Sequence, residues 1–184
     1  MRFNPFNKNE SFKDSPHEEF WLGFKEHLEQ SGRSLRVFGS LTKSNINYDL
    51  VGETSFCGCE FGVIGFDEGV GRTFKRHIWL VAAITPCKGW LSAKVRFSEY
   101  VPIELFDMLT KDIEQIKSCF DTPNQVDWDK PGPGPKRVGF FRAKIDFDDK
   151  SSWEELFEWL CVNLEKLEQV FMNFLALYFY DTVK

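Results

Sequence analysis

The stretch from Val126 to Phe174 constrains the fold of this chain more than any other part of the sequence. It runs from a short strand pattern that carries Trp128, through a Pro/Gly loop, to an alternating strand over 137–147, an acidic turn and a long aromatic stretch. In that last stretch the apolar residues recur every three or four positions over about seven turns, which is typical of an amphipathic helix packed on a core. Two strands followed by one long helix predict a large part of a small α+β core.

The preceding residues complete this pattern. Pro16 is suited to the first position of a helix, which we predict over 16–31. Residues 46–98 alternate in polarity and include one continuous apolar run, which indicates an antiparallel meander of about four strands. A second amphipathic helix is predicted from Pro102 to Phe120. The predicted fold class is therefore α+β, with an antiparallel sheet of about six strands, helices packed mainly on one face, and the order α-β-β-β-β-α-β-β-α.

Composition supports a single domain with an aromatic core. The chain has 184 residues, including 20 Phe, and aromatic residues make up 16% of it. So many rings need a buried interior, which disfavours disorder, and the length suits one domain better than two. We predict an N-terminal arm over residues 1–14 and a single α+β domain over residues 15–184.

Charge and cysteine content predict the cellular setting. The net charge is −5 and the pI is near 5.3, which argues against a dedicated duplex-DNA binder because phosphate neutralisation requires a basic surface. The N-terminus has no apolar leader pattern, and no 18-residue stretch is apolar enough to span a bilayer. The five Cys are odd in number and mostly lie in apolar surroundings, as expected for reduced thiols. We predict a cytoplasmic protein without a membrane partner.

Several short motifs spread over most of the chain resemble a bacterial domain of unknown function. That domain usually lies C-terminal to a PD-(D/E)xK nuclease module in restriction-like and phage-defence proteins. The motifs that carry the resemblance are Phe20-Trp21, Lys94-Val-Arg96, Phe106-Asp-Met-Leu109, Ile113-Glu114, Val126-Asp-Trp128, the strand from Arg142 to Asp148, Trp153, and Glu158-Trp159-Leu160.

This chain departs from that architecture because the nuclease motif is missing. Its chemistry needs an Asp followed by Glu-x-Lys to hold Mg²⁺ and to position water. Neither Glu60-Phe61-Gly62 nor Asp146-Phe147-Asp148 supplies the lysine. The resemblance therefore implies an accessory or recognition domain without the nuclease.

No set of residues forms a convincing catalytic or metal site. Cys57-Gly58-Cys59 is the one tight thiol pair, but a zinc site normally needs a second pair of ligands. Two cysteines on one face of a strand are explained by burial in the core, with metal or redox chemistry as the alternative. The histidines His17, His27 and His77 are too scattered to assemble a triad. We predict no catalytic residue, no metal and no cofactor, and we do not expect an enzyme.

A basic sheet face is the most distinctive candidate site. Between Arg72 and Arg96 there are six basic residues and no acidic residue. On the strand over 137–147, two basic residues and one Phe are predicted to share the exposed alternation. The predicted partner-binding residues are Arg76, Lys94, Arg96, Phe140, Arg142 and Lys144. A basic face with an aromatic residue suits an acidic partner or single-stranded nucleic acid, whereas a solvated face with cross-strand charge pairs is the ordinary explanation.

These observations lead to one main functional hypothesis and two alternatives. The first is a non-catalytic interaction module with a protein partner. The resemblance implies a phage-defence or counter-defence context for it. The second is an accessory domain that binds nucleic acid through the same basic face. The third, by architecture alone, is a chaperone-like homodimer that holds a partner segment. For each tenfold increase in salt concentration, a phosphate-binding face should lose about 0.7 to 0.9 log units of affinity per phosphate contact. A protein partner held by aromatic anchors should lose little affinity over the same change.

Overall fold

The computed structural model describes most of the second half of the chain and parts of the first half. The described residues are 16–31, 46–51, 54–63, 78–85, 88–97, 101, 103–122, 125–129 and 136–182. The predicted arm over 1–14 and the predicted site residue Arg76 lie outside them. For Cys57 and Cys59 the backbone is described and the side chains are not.

The described elements form an antiparallel sheet and a set of helices. The helices are α1 (Pro16–Ser31), α2 (Ile103–Lys111), α3 (Ile113–Ser118) and α4 (Trp153–Thr182). The strands are β1 (Ile46–Val51), β2 (Thr54–Val63), β3 (Ile78–Thr85), β4 (Trp90–Phe97), β5 (Val126–Trp128) and β6 (Lys136–Arg142). Their order in the sheet is β1-β2-β3-β4-β6-β5, and neighbouring strands are antiparallel. The prediction of an α+β chain with an antiparallel sheet is confirmed.

Strand β4 separates the two faces of the sheet. Successive side chains of a strand point to opposite faces. Leu91, Ala93, Val95 and Phe97 are fully buried in the hydrophobic core, so they define the inner face, on the side of the helices. The alternate residues of β4 lie on the other side, which we call the outer face.

An aromatic cluster joins the helix layer to the segment that follows β6. The ring of Phe20 in α1 lies 5.4 Å from that of Trp153, 5.4 Å from that of Phe147 and 5.0 Å from that of Phe157. Trp153 also donates a hydrogen bond from Nε1 to the carbonyl oxygen of Phe147, at 3.0 Å. Tilted and edge-on ring pairs stabilise a core beyond the area that they bury. The many Phe residues therefore hold α1 against the start of α4.

The structure corrects one predicted helix and shows how the last helix begins. The predicted helix from Pro102 to Phe120 is two helices, because Asp112 leaves the helical conformation (φ −94°, ψ 14°) between α2 and α3. A 3₁₀ turn over Lys150–Ser152 precedes the last helix. The cap of this turn is Asp149, whose Oδ1 accepts hydrogen bonds from the backbone N–H and the hydroxyl of Ser151. An aspartate that bonds two residues ahead commonly starts such a turn.

The length of α4 does not make it a membrane span. It has 30 residues, but none of the described helices combines sufficient length with sufficient apolar character to cross a bilayer.

Candidate functional site on the outer sheet face

The outer face of β4 and β6 brings together aromatic and basic side chains. Its register pairs Ser92 with Phe141, Lys94 with Gly139, and Arg96 with Arg137. Trp90 precedes Ser92 by two residues and so lies on the same face. The outer-face residues discussed below are Trp90, Ser92, Lys94, Arg96, Arg137, Gly139 and Phe141.

One end of the outer face exposes two rings. Trp90 is 41% exposed and Phe141 is 43% exposed. Because Ser92 pairs with Phe141, Trp90 is the diagonal neighbour of Phe141 on the adjacent strand, at a separation of about 7–8 Å. The ammonium of Lys88 lies 4.6 Å from the centre of the Trp90 ring, within range of a cation–π interaction. Two exposed rings on neighbouring strands form a candidate interaction site.

The other end of the outer face places cations next to one another. Arg96 and Arg137 are direct cross-strand partners, and like charges at such positions repel and destabilise a sheet. Arg137 donates from Nε to Asp129 Oδ2 at 3.3 Å, which offsets part of this repulsion. Lys94 precedes Arg96 by two residues on the same face and is diagonal to Arg137.

Lys94 is a buried cation in the middle of this group. It is only 5% exposed. Burial lowers the pKa of Lys94 from 10.5 to about 8, with smaller contributions from Arg137 and Arg96, while Asp129 acts in the opposite direction. At neutral pH the amine is therefore still mostly protonated, and it loses its charge just above the physiological range.

Gly139 allows β6 to lie close to Lys94. A Cβ at this position would lie 2.2 Å from the carbonyl oxygen of Ala93 and 2.6 Å from both Cα and Cβ of Lys94. Two of these atoms belong to the backbone of β4, so no side-chain movement can relieve the contact. The absence of a side chain at position 139 is thus a steric requirement of this part of the outer face.

The structure brings together only part of the predicted basic face. Lys94 and Arg96 share the outer face as predicted, but Lys94 is buried there and not exposed. The prediction that Phe140 is exposed is wrong, because its ring is buried in the core, 5.2 Å from that of Phe120. Arg142 pairs with Leu91 on the inner-face side and forms an ion pair of 2.5 Å with Glu155 of α4. Lys144 lies beyond the end of β6, with φ 61°.

A one-residue error in strand phase explains these misplacements. A shift of one residue moves every side chain of a strand to the opposite face. The correct phase of β6 exposes Arg137 and Phe141 and buries Val138 and Phe140. Trp90 was missed although the alternation of β4 already placed it beside Lys94 on the same face.

The helix side carries an open groove of different character. Its lining includes Glu154, Glu155, Glu158, Trp159 and His27. His27 Nε2 lies 3.6 Å from Glu158 Oε2. Within the described ranges no three Cys, His, Asp or Glu side chains are placed to hold a metal ion. The groove is therefore acidic, whereas the outer face is basic and aromatic.

Residues 93–175 of the chain match the family model described as Domain of unknown function (DUF4268). The matched region begins in β4 and ends in α4. It therefore includes Lys94, Arg96, Arg137 and Phe141 of the outer face, but not Trp90. No significant match was found among curated proteins or among solved structures. The predicted resemblance is thus confirmed as similarity to a domain of unknown function.

Proposed function

We propose that this chain is a non-catalytic recognition module that binds single-stranded nucleic acid through the outer face. The observation that carries the proposal is that two exposed rings, Trp90 and Phe141, lie on the same sheet face as the cross-strand pair Arg96 and Arg137. Bases and phosphates alternate along a single strand of nucleic acid. A protein face that carries both rings and cations therefore offers partners for both parts of that ligand.

Stacking supplies the sequence-tolerant part of the binding. A base stacked on an exposed aromatic side chain contributes about 1–3 kcal/mol, and any base can do so because each has a flat π-face. RNA-binding modules commonly stack two or three bases on aromatic residues of a sheet surface. Trp90 and Phe141, on neighbouring strands, provide two such positions.

The cations supply affinity for the backbone. Guanidinium groups bind phosphate oxygens through charge-assisted, often paired hydrogen bonds. Bases in a duplex are already stacked on one another, so the exposed rings favour an open strand. The net charge of −5 also disfavours broad contact with a duplex, since repulsion from the rest of the surface would oppose it.

A protein partner was the first expectation from the sequence, and the same rings could anchor a peptide. The directly opposed Arg96 and Arg137 favour a phosphate-bearing ligand instead, because an anion between them would relieve their repulsion. We further place the module beside a separate nuclease in a phage-defence or counter-defence context. That placement rests on the resemblance of the chain to a domain usually attached to such nucleases.

Binding to labelled oligonucleotides tests the proposed function. Fluorescence anisotropy should show saturable binding of single-stranded 12-mers and weaker binding of the duplex of the same sequence. With two or three phosphate contacts, the logarithm of the association constant should fall with the logarithm of salt concentration with a slope of about −1.4 to −2.1. An Arg96→Glu/Arg137→Glu variant should lose most of this binding.

Charge reversal away from the outer face is the matched control. Lys111→Glu and Lys117→Glu change basic residues of α2 and α3 by the same amount of charge, and they should leave affinity nearly unchanged. The proposal would be wrong if single strands fail to bind at low salt, if the duplex binds as tightly, or if both pairs of variants lose affinity equally. Capture of a protein that survives nuclease treatment, without oligonucleotide binding, would establish a protein-binding module instead.

A further inference from the structure

The arrangement of Lys94 beneath the two arginines goes beyond a generally basic surface. A lysine that is 5% exposed is rare, because burial of an ammonium costs free energy unless other groups compensate for it. Here Arg96 and Arg137 add repulsion, as the lowered pKa of Lys94 reflects. Asp129 acts in the opposite direction, and the three cations together concentrate positive charge at one end of the outer face, which favours an anionic ligand.

Charged residues occupy backbone positions near Lys94 on several strands. Arg96 lies on the same strand, Arg137 on β6, and Asp129 just after β5. Asp127 of β5 pairs with Gly139, and Glu60 of β2 pairs with Val81, so both occupy positions in the row of Lys94 across the sheet. Lys94 and Arg96 already take part in further interactions within the protein, so an anionic ligand must exchange with existing contacts.

Donors for such a ligand are available at the surface. The ion pair of Arg137 with Asp129 uses Nε, and the Arg137 side chain is 54% exposed. Arg96, its cross-strand partner, is half-buried. A phosphate group carries enough oxygen acceptors to bridge two guanidinium groups.

We infer that Arg96 and Arg137 together hold one phosphate group, and that the buried Lys94 beneath them sets the affinity and makes it dependent on pH. This inference rests on the proposed function and deepens it, because it identifies where one backbone phosphate of the single strand binds. Lys94 is a positioning residue here. The two arginines contact the phosphate, and the charge of Lys94 adds electrostatic attraction from a distance without direct contact.

The sign of the pH dependence follows from linkage. A bound phosphate stabilises the charged form of Lys94 and so raises its pKa above the value of about 8 in the free protein. Below about pH 7 the amine is protonated in both states, and affinity should be constant with respect to Lys94. As the pH rises through 8 toward the higher pKa of the complex, affinity should fall, by about tenfold if the pKa rises by one unit.

Protein stability should change in the opposite direction over the same range. The pKa of Lys94 is lowered on folding, so the unfolded chain binds more protons between about pH 8 and pH 10.5. The contribution of Lys94 to stability therefore rises with pH in this window. Titration of Lys94 would therefore not unfold the protein above pH 8, and a melting curve at each pH distinguishes loss of binding from loss of the fold.

The test compares the wild type with Lys94→Met, which keeps an unbranched buried side chain and removes the charge. Affinity for a single-stranded 12-mer is measured from pH 6.5 to 9.5 by anisotropy. We expect the wild type to lose about tenfold above pH 8, and we expect Lys94→Met to bind about tenfold more weakly at pH 7 with a flat profile. If Lys94→Met binds like the wild type with the same profile, the inference is wrong while the proposed function survives.

A second measurement needs neither a variant nor an oligonucleotide. NMR titration of the Lys94 amine in the wild-type protein, with inorganic phosphate as the probe and chloride at equal ionic strength as control, should show a higher pKa in phosphate. The side-chain Nε–H signals of Arg96 and Arg137 should shift in the same titration. An unchanged Lys94 pKa would overturn the phosphate subsite even if oligonucleotides bind, whereas a raised pKa without oligonucleotide binding would reject only the proposed function.

Discussion

Gly139→Ala is expected to destabilise the protein by at least about 3 kcal/mol, toward the upper end of the overpacking range. The added methyl group would lie 2.2 Å from the carbonyl oxygen of Ala93 and 2.6 Å from Cα of Lys94. Since these are backbone atoms of a central strand, β4 and β6 must separate to accommodate it. Urea denaturation followed by far-UV circular dichroism measures the loss.

Gly23→Ala is the matched control for that substitution. A Cβ at this position in α1 meets the far end of the Phe157 ring at 3.1 Å, and a ring can shift where a strand backbone cannot. Alanine also favours a helix over glycine by about 1 kcal/mol. We expect Gly23→Ala to change stability by no more than about 1 kcal/mol, and equal losses in the two variants would contradict the close approach of β6 to Lys94.

Removing both exposed rings is expected to cause a large loss of binding. In Trp90→Ala/Phe141→Ala, two stacking positions of about 1–3 kcal/mol each disappear, so affinity for a single-stranded oligonucleotide should fall by at least about 30-fold. Stability should change little, because both rings are about 40% exposed (41% and 43%) and contribute less to the core than buried rings. Anisotropy at fixed salt gives the affinity, and thermal melting verifies the fold.

Val162→Ala separates stacking from general loss of apolar surface. Val162 is 48% exposed, but it lies on α4 beside the acidic groove. The Val162→Ala variant should bind oligonucleotide as well as the wild type does. Full affinity in the double aromatic variant would rule out stacking on these rings, and a comparable loss in Val162→Ala would show that the effect is not specific to the outer face.

The sequence was sufficient to predict the fold class and the inner face of β4. Alternation of Leu91, Ala93, Val95 and Phe97 with polar residues is a local pattern, and the structure buries all four. The position of Lys94 and Arg96 on the opposite face follows from the same alternation. Local periodicity is thus enough wherever one face of a strand is apolar and the other is polar.

The phase of β6 could not be obtained in this way. The consecutive Phe140 and Phe141 fit either phase, and only pairing with β4 decides between them. That pairing joins residues separated in sequence by α2, α3 and β5. The opposition of Arg96 and Arg137 and the lowered pKa of Lys94 depend on the same long-range register, so neither was accessible from local patterns.

The prediction of helix boundaries was wrong for a different physical reason. The apolar spacing from Phe106 to Phe120 continues through Asp112 although the backbone does not. Apolar residues of two short helices can face one core with nearly the same spacing as one long helix. Competition between side chain and backbone hydrogen bonds, as at Asp149, sets such boundaries and is only weakly encoded in the pattern.

The indole N–H signals of the six Trp residues give the most direct test of binding at the outer face. In ¹H–¹⁵N spectra of the wild-type protein titrated with a single-stranded oligonucleotide, we expect the Trp90 signal to shift progressively. The signal of Trp153, which is hydrogen-bonded inside the core, and that of Trp159, which lines the acidic groove, should remain in place. A shift at Trp159 with Trp90 unchanged, or no shift at any indole, would contradict the account.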